Sequence, residues 1–339
     1  MKNSIGLCYN STSRYYFAPT MKHQPRMDPR LAQRIAEKRA ALDARRPLPP
    51  GVLRVLHEDL QVRLTFHSNA LEGNTLNLRE TQLVVAHGLT IGGHSLKEHL
   101  EATNHAAAYA AIVRLAEEPT PLTVAQMLEL HHLVMDRMLD EAGQFRRGAV
   151  SIRGSQLTPP PAREVPGLIE QWLVWLESEG QQYEPITRLV LAHHGFLAVH
   201  PFLDGNGRTA RLLLNLLLLR AGYPPALLLQ EWRLGYLEAL AQADRGRYNP
   251  LLNLMGRAVE SGLDLYLEAC SAAPDDEWVP LSLLASDTPY SAAYLALLIR
   301  KGRLAGSKRA GRWYSTRTAL ARYQAEVAAG TIPRGRPPR

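Results

Sequence analysis

The chain has 339 residues, 46% hydrophobic and 21% charged, which excludes a disordered or low-complexity protein and leaves length for about two domains. Its two cysteines, Cys8 and Cys270, exclude a disulfide framework and a cysteine-held zinc site, and a reducing, cytoplasmic compartment is expected. No apolar run reaches the ~20 residues that cross a bilayer, so no membrane partner is expected, and the formal net charge of +7 raises the question of nucleic acid.

Taken in chain order, residues 1–28 carry Lys2, Arg14, Lys22 and Arg26 but lack the apolar stretch of a secretory signal, so a disordered N-terminus is expected, with Met21 and Met27 as alternative starts. A helical pattern over 29–46 breaks at Pro47-Leu48-Pro49-Pro50-Gly51, and apolar residues recur at helical intervals over 53–71 and over the Ala-rich 96–115. Residues 29–120 thus form an N-terminal helical region. Thr123 is placed as the N-cap of a further helix to Leu139. Over 143–158 the pattern changes: Val150 and Ile152 alternate with polar residues, Gly154-Ser155 supplies a turn, and Pro159-Pro160-Pro161 ends the element, which reads as a short hairpin. Helical spacing returns at 165–179, 186–199, 208–221 and from 232 onward. The fold class is therefore all-α. Residues 271–277 read as a linker, 278–325 as a small second domain, and 326–339 as a basic, Pro-rich tail.

Residues 200–211 are His-Pro-Phe-Leu-Asp-Gly-Asn-Gly-Arg-Thr-Ala-Arg. With one helix ending near Val199 and another starting about Arg208, Gly205, Asn206 and Gly207 fall at a helix N-terminus. Backbone N–H groups and the helix dipole favour an anion there, and a di- or triphosphate is the natural occupant. Arg208 and Arg211, three apart, can turn two guanidinium forks toward the same phosphates. Asp204 suits a Mg²⁺ bridging phosphate oxygens, because Mg²⁺ usually takes one or two carboxylates and leaves its other positions to phosphate and water. His200 remains as the general base, its ordinary pKa of about 6.5 allowing it to accept a proton at neutral pH.

This segment resembles the signature of the Fic family, in which His, Phe, an acid, Gly-Asn-Gly-Arg and a second Arg recur in this order. The resemblance implies a Fic-type helical bundle with a core at 121–270 and a short β-hairpin flap. The activity it implies is transfer of AMP from ATP to a Ser, Thr or Tyr hydroxyl of a target protein. It gives His200 the role of base, Asp204 that of Mg²⁺ ligand, and Phe202 that of loop anchor, with ATP held by Gly205, Asn206, Gly207, Arg208 and Arg211. A related toxin branch replaces the Gly-Asn-Gly segment and phosphorylates, so the intact glycines favour nucleotidylation.

Further segments extend the resemblance. Ser68, Glu72 and Gly73 resemble the inhibitory motif of Fic proteins, Ser68 and Glu72 lying four apart on one helix face. That motif implies that Glu72 pairs with Arg211 and blocks productive binding of the γ-phosphate. Residues 150–161 resemble the flap, with Val150, Ile152, Gly154 and Ser155 beside a target peptide held by main-chain pairing. Arg233-Leu-Gly-Tyr236-Leu237 is similar to the segment on the nucleoside side, so Tyr236 is expected to contact adenosine; Leu237 replaces a common second tyrosine, and Asp244 stands where Asn is expected. Removal of AMP at the same site and assembly as a homodimer stay open. His131-His132 and His193-His194 point in different directions within each pair on a helix and are read as solvated or hydrogen-bonded, not as metal ligands.

Between Thr288 and Ala325 stand eight basic residues, Arg300, Lys301, Arg303, Lys308, Arg309, Arg312, Arg317 and Arg322, against no Asp or Glu. The order of a short helix, a turn, a second helix from Ser291 and a hairpin over 306–314 resembles the winged helix-turn-helix of excisionase-like domains, which implies DNA contact through 281–323, with docking of a target or dimer contact as the other reading. Ala292, Ala293 and Ala296 offer little to read base edges. A DNA-binding regulator with a nucleotide-sensing Fic core is accordingly the alternative to the enzyme.

Overall fold

The computed structural model describes residues 24–48, 50–118, 120–152, 155–271, 278–286, 288–309 and 311–328. The expected disorder of 1–23, Gly154 of the flap, linker residues 272–277 and the tail from 329 lie outside the described residues.

The chain divides into two compact units, residues 1–44 with 58–266, and residues 45–57 with 267–339. The helices, in chain order, are α1 (Pro29–Asp43), α2 (Pro50–Leu71), α3 (Leu78–His87), α4 (Leu96–Ala116) and α5 (Val124–Met135), then α6 (Val165–Glu177), α7 (Pro185–Val199), α8 (Asn206–Arg220), α9 (Arg233–Ala243) and α10 (Asn249–Ser271). Side-chain caps set several starts. Asp28 accepts from the N–H groups of Arg30 and Leu31 ahead of Pro29, while Asn77, Ser95 and Thr123 form capping boxes with Glu80, Glu98 and Gln126. Residues 24–28, expected to be disordered, are instead tied down: the N–H of Arg26 donates to Asn249 Oδ1 at 2.9 Å and that of Asp28 to Asn253 Oδ1 at 2.7 Å.

In the first unit α8 is the axis. It packs against α4, α5 and α7, and its residues 206 and 208–216 are buried throughout. Tyr109, Met127, Trp172, Phe196 and Phe202 are among the largest fully buried side chains around it. The α8 N-terminus, which carries the candidate chemistry, is thus held on several sides by close-packed helices.

Among the described residues of the expected hairpin, 150–152 and 155–161, no strand pair forms. These residues form an irregular strap with one turn bond, Ser155 N–H to the Ile152 carbonyl at 3.1 Å. Pro159, Pro160 and Pro161 have no N–H to give a ladder, which accounts for the difference.

The second unit adds β1 (Val279–Pro280), α11 (Leu281–Ser286), α12 (Ala292–Arg300), β2 (Gly306–Arg309), β3 (Arg312–Ser315) and α13 (Arg317–Ala328). Its strands make an antiparallel sheet in the order β1-β3-β2, with Lys308 opposite Trp313 and Val279 opposite Ser315. Leu281, Leu284, Leu295, Leu298, Leu304 and Leu320 form its core with Tyr294 and Tyr323. Ser291 caps α12 by accepting from the Tyr294 N–H.

Candidate active site

α7 ends where His200 takes a left-handed conformation, φ 49° and ψ 61°, which is uncommon for a side chain other than Gly, Asn or Asp and turns the chain out of the helix. Its N–H still bonds the Phe196 carbonyl at 3.1 Å, and the ring Nδ1 meets the Leu197 carbonyl at 3.3 Å. A carbonyl only accepts, so Nδ1 carries the proton and Nε2 keeps its lone pair, the tautomer a general base needs. Burial, helped by the charge of Arg146, pushes the His200 pKa below its ordinary value against the opposing bond to Leu197.

The loop after His200 is braced by residues that sequence reasoning did not single out. Arg146 donates from Nε to the His200 carbonyl at 2.8 Å, from Nη1 to Gly148 at 3.0 Å and from Nη2 to Pro160 at 2.6 Å. It thereby binds the loop to both ends of the strap. Phe202 is fully buried and stacks on His131 at 3.7 Å between ring centroids, which is the anchoring expected of it. His131 accepts the Gly143 N–H at Nδ1 and so donates from Nε2 to the Asp204 carbonyl at 3.0 Å; burial lowers its pKa to about 4, and it is neutral. The Asn206 side chain accepts the Phe202 N–H at 3.0 Å and donates to the Phe202 carbonyl at 2.9 Å, so it closes the loop, while its backbone N–H belongs to the first turn of α8. Gly205, φ 76°, is the N-cap residue of α8, and a Cβ there would meet Met135 Sδ at 2.7 Å. The helix begins two residues earlier than expected, at Asn206, which leaves the first-turn N–H groups as the anion site.

The two arginines of the motif are already occupied. Arg211 donates from Nε to Ser68 Oγ and from Nη2 to the Ser68 carbonyl, both at 2.9 Å, and from Nη2 to Glu72 Oε1 at 2.7 Å. Ser68 and Glu72 come from the end of α2, where the turn at Gly73, φ 102°, stops the helix. Glu72 lodges against Gly207: any Cβ at Gly207 would collide with Glu72 Oε1 and stand 3.0 Å from Arg211 Nη1. Burial alone would raise the Glu72 carboxyl, but the charge of Arg211, its hydrogen bond and the charge of Arg208 outweigh it and hold the group below the usual carboxylate range. Arg208, expected on the phosphates, is instead buried against Glu101 of α4, Nη1 to Oε1 3.2 Å, with Asp204 Oδ1 3.8 Å from Nη2. Glu101 in turn accepts from Asn74 Nδ2 at 2.9 Å, two residues past Glu72. Asp204 keeps 56% of its side chain exposed, while its Oδ1 accepts the Gly205 N–H at 2.6 Å.

Tyr236, expected to contact adenosine, lies on α9. It is buried with its hydroxyl 2.7 Å from His193 Nε2, and His193 spends Nδ1 on the Ala210 carbonyl, so Tyr236 packs α9 onto α7. Asp244 joins two elements: Oδ1 accepts from His194 Nε2 at 2.9 Å and Oδ2 from Ser155 Oγ of the strap at 3.0 Å. Tyr248 completes that chain at His194 Nδ1, 3.2 Å. All four paired histidines are hydrogen-bonded, and among the described residues no group of three His, Cys, Asp or Glu side chains could hold a metal by itself.

Comparison with known proteins agrees with this geometry. Residues 121–218, which include the whole of 200–211, match the model of the Fic/DOC family. A protein adenylyltransferase Fic from Drosophila yakuba is 34% identical over 250 residues, 73% of this chain and 50% of that protein, so the chain spans about half the length of the curated relatives it matches. A Fic domain containing signaling protein from Bacteroides thetaiotaomicron superposes with a TM-score of 0.65 at 27% identity, covering 71% of this chain and 98% of that one. A variant of Fic-1 from C. elegans is 30% identical with a TM-score of 0.62, over 71% of this chain and 72% of that one. On that likeness in sequence and in fold, the chain belongs to the Fic/DOC family.

Proposed function

We propose that this chain is a protein adenylyltransferase that moves AMP from ATP to a Ser, Thr or Tyr hydroxyl of a target protein, and that Glu72 holds it off. The observation that carries the reading is the Glu72 carboxylate seated at the α8 N-terminus on Arg211. An anion already stands where the helix dipole and N–H groups favour one, and it takes the cation that a terminal phosphate would use.

Once Glu72 leaves, the first turn of α8 and Arg211 receive the triphosphate. The hydroxyl of the target gives its proton to His200 Nε2 while its oxygen bonds to the α-phosphorus. The bond from that phosphorus to the bridging oxygen breaks, and pyrophosphate leaves. Asp204, exposed beside the nest, fits a single-carboxylate Mg²⁺ ligand, and the ion when bound neutralises phosphate charge. The strap held by Asp244 and Arg146 presents the target, in keeping with the name protein adenylyltransferase carried by the Drosophila relative. A DNA contact through residues 281–323 rests on other observations, in the second unit.

Intact-protein mass spectrometry of the Glu72→Gly variant after incubation with Mg²⁺ and ATP tests the reading. A gain of whole AMP units on the variant or on an added lysate protein is expected. A gain of phosphate size would reassign the reaction, and no gain on any protein would refute it.

A further inference from the structure

We propose that the second unit binds duplex DNA through the C-terminal end of α12 and the β2-β3 hairpin, gripping the phosphate backbone and not the base edges. The proposal is independent of the transfer reaction, since it uses no residue of the first unit.

The argument starts from charge that has no counter-charge. Arg300, Lys301, Arg303, Lys308 and Arg312 are exposed, and none has a carboxylate partner among the described residues. Arg322, on α13, pairs with Glu326. Five uncompensated cations with no acid between residues 288 and 325 repel one another and call for a polyanion.

The fold gathers them at one place. Arg300 closes α12, Lys301 is its C-cap residue, and Gly302, φ 66°, turns the chain so that Arg303 follows at once. Gly306 then brings β2 back onto the end of α12, so close that a Cβ would meet Ile299 Cγ1 at 2.6 Å. The hairpin carrying Lys308 and Arg312 therefore springs from the same end of the helix that carries the other three. A short helix with a basic end and an adjoining basic hairpin suits a duplex whose major groove, about 12 Å wide, admits a helix while the hairpin reaches the flanking backbone.

The chemistry favours B-form DNA over the other polyanions. A-form RNA has a deep, narrow major groove that a helix cannot enter. An anionic membrane needs an apolar stripe beside the cations, and among the described residues of this unit only Leu283 on α11 and Leu297 on α12 are exposed large apolar residues. On α12 the exposed positions that precede the basic end are Ser291, Ala293 and Leu297, which carry no amide or guanidinium to read a base. Affinity should come from phosphates and be tolerant of sequence.

The test is fluorescence anisotropy of the full chain with a labelled random-sequence duplex across salt concentrations. Five phosphate contacts predict a slope of log K against log salt of about −4.5, and Arg303→Ala, Lys308→Ala and Arg312→Ala together should flatten it by about 2.7. Residues 1–23 and the tail from 329 are unchanged in that variant, so binding through them leaves the slope as it was. An unaltered slope would overturn the proposal. So would no binding at about 50 mM salt, or tighter binding to an RNA duplex or to phosphatidylserine vesicles than to DNA. With Glu72→Gly added to both chains, the three substitutions should leave adenylyl transfer unchanged, which separates this proposal from the reading of the first unit.

Discussion

Asp244 uses both oxygens of one carboxylate, one on His194 of the helix that delivers His200 and one on Ser155 of the strap. Removing it breaks the bond between the strap and the end of α9 and leaves the His194 N–H unsatisfied in a buried place. Asp244→Ala in a Glu72→Gly background should raise KM for a protein target about tenfold, equivalent to about 1.4 kcal/mol, and change kcat less. A fall in kcat at constant KM would place Asp244 on the chemical step instead. At His200 the sign of the pH effect follows from the lowered pKa. The neutral base persists below the ordinary imidazole value of about 6.5, and only protonation at lower pH removes it. The acid limb of kcat/KM for the Glu72→Gly variant should therefore fall below pH of about 6.5; a limb above 7 would contradict the assignment of His200 as a buried base. The residues within 200–211 were legible because base, acid and nest are neighbours in sequence. The bond of the Asn206 side chain to its own loop was not legible there, since spacing does not tell such a side chain from one that faces a ligand. Arg146, Glu101 and Asp244 act across 54, 107 and 50 residues, and no local pattern announces such contacts.

At the scale of elements, the helices carry most of the legible information, and the one that was passed over had a readable signal. α3 is opened by the Asn77 and Glu80 capping box and closed by Gly88 at φ 62°, a start and a stop ten residues long that apolar spacing alone understates. Asn77→Ala should cost about 1 kcal/mol, seen as a Tm lower by about 2–4 °C in thermal unfolding; an unchanged Tm would mean that the box adds nothing. In the strap, alternation at Val150 and Ile152 resembles a strand, whereas the three prolines withhold the N–H groups a ladder needs, and the described residues of 150–161 show no strand. Its shape comes from Arg146 and Asp244, not from pairing. Arg146→Met would leave the carbonyls of His200, Gly148 and Pro160 without their shared donor, and each buried loss costs about 1–3 kcal/mol. Circular dichroism melts should show it as the most destabilising single change among those named, and a loss below about 1 kcal/mol would show that the loop holds its shape unaided.

Over the whole molecule, the proposed function has one anion site shared by a restraint and by the substrate it keeps out. Arg211 is held by Ser68 and Glu72 at the end of α2, and Arg208 stands against Glu101, so both cations of the motif face a carboxylate. The pairing of Glu72 with Arg211 was expected from a resemblance, and the fold brings residues 139 apart in sequence to 2.7 Å. The most direct measurement is the rate of label transfer from ATP labelled on its α-phosphate, comparing the unaltered chain, Glu72→Gly, and Glu72→Gly with His200→Ala. A rise of at least about tenfold on removal of the carboxylate, abolished when His200 is also removed, is predicted; equal rates with and without Glu72 would contradict the account.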